Sequence, residues 1–245
     1  MPRQARQLSD SGYMHLILRG IGKQILFEDD EDRIFYLSAL RRFCRETEVS
    51  LCAYCLMENH VHLLVFDPKG NTPLMMKKLG VSYAGHFNRK YERSGHLFQD
   101  RYLSEPIEDD GYLLAVFRYI LNNPQKAGIC PAAEYEWSSL AAYGDPTSFV
   151  DTAILQELIG NREEVLAFLS EYNEDSCMEA ETGRRTDNWA KETMKKTLHT
   201  DSGTVLQRLD RADRNAAIRA LKGAGLSVRQ IERLTGINRN IVQKA

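Results

Sequence analysis

The sequence has few of the residues that mark a secreted, disulfide-stabilised protein. Its 245 residues include five cysteines, an odd number at irregular spacing, and such a set does not indicate a disulfide framework. Cys52 and Cys55 form a CxxC pair, but the second pair expected of a zinc site of this type is missing. Two structural thiols are therefore the simpler interpretation, with a zinc or redox role as the alternative.

Long hydrophobic runs are also missing. No stretch approaches the roughly 18 apolar residues that span a bilayer, and the N-terminus does not have the charged-then-apolar layout of a signal peptide. Hydrophobic residues make up 43% of the chain and charged residues 27%, an ordinary globular composition. We therefore expect a soluble, cytoplasmic protein that does not bind membranes.

The chain lacks an overall positive charge, since its formal net charge is -2. Nucleic-acid binding depends on local patches, however, and two segments are basic. Residues 77–101 contain six Lys and Arg against two Asp and Glu, and residues 203–245 contain nine against three. Both segments are candidate nucleic-acid surfaces.

The spacing of apolar residues predicts an α+β fold with the order β-α-β-β-α-β-α. Strands are predicted at 13–18, 49–57, 60–66 and 95–106, and helices at 28–46, 73–91 and 109–123, with Pro124 ending the last helix. Residues 125–150 are predicted to be irregular cover and 151–172 to form one or two short helices. The polar stretch 173–203 is predicted to be a linker.

Two residue pairs carry possible chemistry. His60 and His62 are two apart on a predicted strand, so both imidazoles project from one face. Tyr119 and Asn123 are four apart on a predicted helix and share a helical face. Taken alone, each pair also fits a purely structural role.

Three ordered motifs resemble the single-tyrosine transposases of bacterial insertion sequences, and most of all the branch associated with repetitive extragenic palindromes (REP). They are Cys55-Leu-Met-Glu-Asn-His60-Val-His62-Leu-Leu-Val65, Gly95-His-Leu-Phe-Gln-Asp-Arg101-Tyr102, and Tyr112-Leu-Leu with Arg118-Tyr119-Ile and Asn123-Pro124. The resemblance covers roughly residues 10–145. It implies a ferredoxin-like antiparallel sheet with flanking helices and a histidine-hydrophobic-histidine (HUH) nuclease.

By motif position, the resemblance makes Tyr119 the nucleophile and His60 and His62 the metal ligands. Asn123 stands where some relatives have Gln and is carried over as the third ligand. The resemblance implies cleavage of single-stranded, hairpin-forming DNA through a 5′-phosphotyrosine link with a free 3′-OH. Phosphate oxygens favour Mg²⁺ or Mn²⁺ as the divalent metal.

Basic residues near this site are candidate DNA contacts. Arg101 either holds phosphate or pairs with an acid such as Asp100 or Glu105. Lys77, Lys78, Arg89 and Lys90 either follow a DNA backbone or form a solvated helix face. His15 and His96 are interpreted as structural residues rather than ligands.

The C-terminal segment predicts a helix-turn-helix. Ser227 and Gln230 form a capping box, residues 235–236 supply the turn, and Asn238 caps a second helix. The side chains predicted to contact DNA are Arg239, Asn240, Gln243 and Lys244. A small helical protein-interaction domain is the alternative, because the fold alone does not fix the ligand.

We therefore expect a transposase-like catalytic domain over 1–150, a helical extension and linker over 151–202, and a helix-turn-helix module over 203–245. Two other functions stay open at this point. The first is a DNA-binding regulator that lost turnover, against which the intact His60, His62 and Tyr119 count. The second is an RNA-binding module, which leaves the histidine pair unexplained. Whether the chain acts as a homodimer is also left open.

Overall fold

A computed structural model describes residues 9–171, 177–178, 187–198, 200, 203–224, 226 and 228–244. The chain forms two compact units, Met1–Ala180 and Glu181–Ala245. From the sequence we expected domain boundaries after residues 150 and 202, but each of these positions lies within one of the two units. Two short helices after residue 150 belong to the first unit, and one helix before residue 203 belongs to the second.

The first unit is built on a four-stranded sheet with strand order β2-β3-β1-β4. The strands are β1 (Tyr13–Arg19), β2 (Ser50–Leu56), β3 (His60–Phe66) and β4 (Leu103–Ile107). All neighbouring strands pair antiparallel. The α+β class and the predicted order β-α-β-β-α-β-α are confirmed.

Helices α1 (Asp30–Thr47) and α2 (Thr72–Lys90) cover one face of the sheet. Alternate strand residues such as Leu16, Val61 and Leu63 pack there against buried helix side chains such as Leu40 and Tyr83. The acidic start of α1 acts as predicted, because the Asp29 side chain accepts a hydrogen bond from the backbone N–H of Asp32.

Helix α3 (Asp110–Leu121) lies on the other face. Its side chains Val116 and Phe117 join Ala53 and Leu64 of the sheet in a second core. The helices α5 (Ala153–Ile159) and α6 (Arg162–Ser170) extend this core through Leu155, Val165 and Leu169. Both faces of the sheet are therefore buried.

The prediction that one helix runs to Asn123 is wrong. Helix α3 ends at Leu121, and Pro124 does not stop it but lies in the first turn of a short helix α4 (Asn123–Lys126). Proline has no backbone N–H to donate, and the first turn of a helix does not need one. Tyr119 and Asn123 consequently lie on consecutive helices.

Strand β4 is shorter than the predicted strand at 95–106. Residues before Leu103 instead hydrogen-bond across the end of β1: Ile21 N donates to Leu97 O at 2.9 Å and Gln99 N donates to Arg19 O at 2.9 Å. Pro106 lies in β4, which is an edge strand, where its missing N–H costs no hydrogen bond within the sheet.

The outer edge of β2 is covered by residues of the irregular segment that follows α4. Leu56 N donates to Trp137 O at 2.9 Å, and Tyr54 N donates to Ser139 Oγ at 2.9 Å. The Tyr143 hydroxyl adds a bond to Cys52 O at 3.1 Å. These bonds satisfy the backbone groups that an edge strand would otherwise expose.

The second unit contains α7 (Asp187–Leu198), α8 (Arg211–Gly223), α9 (Val228–Thr235) and α10 (Arg239–Lys244). Its core includes Met194, Ile218, Ile231 and Val242. Gly236, with φ of 69°, makes the turn between α9 and α10. Asn238 directly precedes α10, whereas Ser227 of the predicted capping box lies outside the described residues. None of the described helices is long and apolar enough to cross a bilayer.

Candidate active site

Strand β3 presents the two histidines side by side. The ring centres of His60 and His62 are 4.9 Å apart, as expected for residues on one face of a strand. His62 is fully buried between the sheet and α3, whereas His60, at the start of β3, is half-buried. Val61 between them points into the opposite core.

Helix α3 places Tyr119 over this pair. The Tyr119 ring centre lies 5.5 Å from that of His62 and 6.0 Å from that of His15, both in edge-to-face geometry. The Nζ of Lys126, on α4, lies 4.5 Å from the centre of the same ring. Two histidines and one ammonium group therefore surround the aromatic ring of Tyr119.

The hydrogen bonds of the imidazoles leave particular nitrogens for a ligand. His60 Nδ1 bonds Asn59 Oδ1 at 2.7 Å. His62 Nδ1 bonds His15 Nε2 at 3.0 Å. His62 Nε2 is buried and makes no hydrogen bond to any described residue. A buried polar atom without a partner is rare, and an imidazole nitrogen in this state fits a metal ligand.

The protonation state of His62 agrees with that role. Burial, and then the nearby His15 and His60, hold the pKa of His62 well below its usual range. Burial also lowers the pKa of His15, although Glu105 opposes this shift. His62 is therefore neutral near pH 7, and the neutral imidazole is the form that binds metals.

Asn123 lies at the start of α4 and is 9% exposed. Its amide nitrogen donates to Tyr119 O at 3.2 Å, so the amide oxygen is the atom that a hard cation would take. Among the residues that the structure describes, no three His, Cys, Asp or Glu side chains form a metal-binding group. A third protein ligand of another type, such as this amide, would complete the set.

The basic residues of α2, together with Arg101 in the segment before β4, divide into two groups. Lys78 pairs with Glu46 at 2.8 Å, and Lys90 pairs with Asp29 at 2.6 Å and with Asp32 at 3.2 Å. Three others, Lys77, Arg89 and Arg101, are exposed, and none of them makes an ion pair with any described residue. Only this second group carries charge that is not already paired.

Lys77 and Arg101 line one open groove of about 400 Å³ between α2 and the segment before β4. Phe98 and Tyr102 supply aromatic surface to it. The pairing of Arg101 with Asp100 or Glu105, left open by the sequence, is not seen. The Asp100 carboxylate accepts a hydrogen bond from the backbone N of Arg101, and Glu105 faces His15.

In the second unit, Arg239 and Gln243 are exposed on α10. The backbone N of Arg239 donates to Glu232 Oε1 at 3.0 Å, which ties the start of α10 to α9. The side chains of Asn240 and Lys244 lie outside the described residues, so their predicted DNA contacts stay predictions.

Three residues of the site were not expected from the sequence. Lys126 lies after the predicted end of the helix, and Glu105 is one of many acidic residues, so neither carried a signal. His15 did carry one: it is a histidine in a strand that pairs with the strand of His60 and His62, on the same sheet face. The CxxC thiols, Cys52 and Cys55, are buried in the core, as structural thiols would be.

The fold brings together the histidine pair and the tyrosine of the sequence motifs, and the comparison with known families agrees with the resemblance of those motifs. Residues 9–123 match the family model described as "Transposase IS200 like". This match spans just under half of the chain and includes His15, His60, His62, Glu105, Tyr119 and Asn123, but not Lys126. No curated protein matches the sequence significantly.

Two solved structures match parts of this chain. A REP-associated tyrosine transposase bound to a REP hairpin matches with a TM-score of 0.50 and 13% identity, over 76% of this chain and 99% of its own. A candidate transposase from Deinococcus radiodurans R1 matches with a TM-score of 0.35 and 22% identity, over 49% of this chain and 96% of its own. The first match confirms the α+β architecture.

Proposed function

We propose that this chain cleaves and rejoins single-stranded DNA, with Tyr119 as nucleophile and a divalent metal held by His60, His62 and Asn123. The observation that carries the proposal is the buried, unpartnered Nε2 of His62 beside the Tyr119 ring. The large majority of buried side-chain polar atoms are hydrogen-bonded, and this nitrogen lies on the same sheet face as the other candidate ligand, His60. The match of residues 9–123 to a transposase family model supports the same chemistry.

The side chains divide the metal chemistry among them. His62 and His60 would each offer Nε2, because Nδ1 of each ring is already hydrogen-bonded. Asn123 would offer its amide oxygen. Bound Mg²⁺ or Mn²⁺ would polarise the scissile phosphate and neutralise the charge that develops during in-line attack.

Tyr119 supplies the nucleophile. A free phenol has a pKa of about 10 and attacks poorly at neutral pH, so it needs activation. The positive charge of Lys126 beside the ring favours the phenoxide. A Tyr119 Oη–phosphorus bond forms as the bond from phosphorus to the 3′ oxygen breaks, which leaves a 5′-phosphotyrosine and a free 3′-OH.

The same residues can run the step in reverse. A 3′-OH of another strand attacks the phosphotyrosine, the new phosphodiester forms, and Tyr119 leaves as its phenoxide. The bond energy is kept in the protein-DNA link, so joining requires no external energy source.

We infer that the substrate is single-stranded DNA that folds into a hairpin. The solved structure with a similar fold contains a REP hairpin, which supports this substrate class. The exposed Lys77, Arg89 and Arg101 would hold the phosphate backbone. The helix-turn-helix residues Arg239, Asn240, Gln243 and Lys244 would read the flanking sequence.

The proposal is tested with the full-length protein, Mn²⁺, and end-labelled hairpin oligonucleotides taken from the DNA on either side of the gene. We expect a protein-DNA band that survives a denaturing gel and carries the label only of the strand 3′ to the cut. Tight binding without any covalent band or cut strand would instead support a regulator that has lost turnover.

A further inference from the structure

The histidine pair is connected to a third histidine and a carboxylate across the sheet. His15 on β1 bonds His62 on β3, Nε2 to Nδ1, at 3.0 Å. On its other side, His15 Nδ1 lies 3.9 Å from Glu105 Oε2 on β4. The register explains this row, because His15 lies directly opposite Glu105 in the β1–β4 pairing.

The two histidines of this row are buried, and the carboxylate at its end is partly exposed. The side chains of His15 and His62 are fully buried, and that of Glu105 is 33% exposed. His15 Nδ1 has no hydrogen-bond partner among the described residues, so the nearby carboxylate is the group that acts on it. The backbone N of Met178 donates to Glu105 Oε2 at 3.2 Å and holds the carboxylate in place.

One proton serves the bond between His15 and His62, and two arrangements of it are possible. If His62 Nδ1 donates, His62 Nε2 has a lone pair and His15 carries its proton on Nδ1, facing Glu105. If His15 Nε2 donates instead, His62 Nε2 carries a proton and cannot bind a metal, and His15 directs a lone pair at the carboxylate. The negative charge of Glu105 disfavours this second arrangement.

We propose that His15 and Glu105 are positioning residues that fix His62 in the tautomer with an unprotonated Nε2. This inference rests on the proposed function, because the purpose of that tautomer is to hold the metal. Metal-bound histidines commonly donate their other nitrogen to such an outer partner, and loss of that partner weakens metal binding by roughly 10-fold to 100-fold.

Metal affinity is measured on the full-length protein without DNA, by titration with Mn²⁺. We expect His15→Phe, which keeps a ring in the buried site but offers no acceptor, to bind Mn²⁺ roughly 10-fold to 100-fold more weakly. His15→Gln offers an amide oxygen to His62 Nδ1 and should recover most of the affinity. Glu105→Leu should weaken binding, and Glu105→Gln should weaken it less.

The tautomers are read directly from ¹⁵N-labelled histidine by long-range ¹H–¹⁵N NMR of the metal-free protein above pH 8, where imidazoles are neutral. We expect His62 and His15 both to be protonated on Nδ1 in the wild type. We expect Glu105→Leu to shift both toward protonation on Nε2. These spectra decide the proposal even if His15→Phe fails to fold.

Two controls separate this proposal from the proposed function. Tyr54→Phe, in the core on the opposite face of the sheet, should bind Mn²⁺ with wild-type affinity, and His62→Gln should lose it. A wild-type protein that binds no Mn²⁺ overturns both proposals. Wild-type Mn²⁺ binding that is unchanged in His15→Phe and Glu105→Leu, or a wild-type His62 protonated on Nε2, overturns the role of His15 and Glu105 alone.

Discussion

The hydroxyl of Tyr119 is the single group whose removal separates chemistry from packing. The ring lies against His15 and His62, and these contacts do not use the hydroxyl. We expect Tyr119→Phe to leave hairpin binding nearly unchanged and to reduce cleavage below detection, because the nucleophile is gone.

A denaturing gel and a binding isotherm measure the two effects of Tyr119→Phe. Tyr54→Phe is a control, since Tyr54 is another half-buried tyrosine but packs in the core on the opposite face of the sheet. A covalent band that persists in Tyr119→Phe would remove Tyr119 as nucleophile.

The two histidines of β3 are expected to differ when each is replaced by alanine. Each substitution should slow metal-dependent cleavage by roughly 100-fold or more, because a bound metal supplies several kcal/mol of charge stabilisation in the transition state. His62→Ala should also lower the melting temperature, because it leaves a cavity at a fully buried position. His60→Ala should not lower it, because His60 is only half-buried.

Cleavage rates across a Mn²⁺ series and thermal melts check this pair of variants. Wild-type rates in either variant after chelation of trace metal would show that the proposed ligands are wrong. An equal decrease in melting temperature in both variants would show that the different burial of His60 and His62 does not affect stability.

At the scale of elements, Asp32 joins α1 to the end of α2. The carboxylate is fully buried and accepts bonds from Tyr91 Oη at 2.7 Å, Glu28 N at 3.0 Å and Lys90 Nζ at 3.2 Å. Burial alone would raise its pKa, but these bonds, with one from His86, outweigh burial and lower the pKa below its ordinary value.

A lowered pKa in the folded state fixes the sign of the pH dependence. The stabilisation by Asp32 is complete above the pKa of the unfolded chain, about 3.9, and is lost as the pH falls through the lower folded value. We expect Asp32→Asn to lower the free energy of unfolding at pH 7 by about 1–3 kcal/mol, since buried donors lose their acceptor. The free energy of unfolding of this variant should also change less with pH in the acid range.

Urea unfolding of wild type and variant between about pH 2 and pH 7 measures both quantities. Asp30→Asn is the control, because Asp30 is exposed and its bond to Arg33 lies at the surface. It should change stability by less than about 0.5 kcal/mol. Parallel pH curves for wild type and Asp32→Asn would contradict the assignment.

At the scale of the whole molecule, the two compact units suggest a division of labour. Every residue assigned to the chemistry, from His15 to Lys126, lies within the first unit. A chain that ends at Gly183 should therefore still form the covalent link. It should bind a hairpin more weakly and with a shallower salt dependence, because it lacks nine basic side chains of residues 203–245.

Binding isotherms at several salt concentrations, on a hairpin and on a scrambled strand, test this division. A full-length Arg239→Ala, Gln243→Ala variant serves as the matched control, since it removes two exposed side chains of α10 and keeps the fold. An unchanged salt slope and equal discrimination after truncation would leave protein interaction as the function of the second unit.

The motif resemblance singled out His60, His62, Tyr119 and Asn123 as candidate site residues, and the sequence by itself determined the order of the elements. Local periodicity was enough for this: alternation defined the strands of His60 and His62, and steps of four defined α2 and the helix of Tyr119. It did not determine where α3 ends, because a proline can either stop a helix or begin the next one, and the difference depends on packing around Pro124.

Only the tertiary structure decided which basic side chains form ion pairs and which imidazole nitrogens are hydrogen-bonded. Lys78 and Lys90 looked like Lys77 and Arg89 in sequence, but the packing of α1 against α2 gives the first two acidic partners. The row from Glu105 through His15 to His62 likewise joins residues up to 90 positions apart in the chain. It exists because antiparallel register brings three strands side by side, and no local pattern encodes that register.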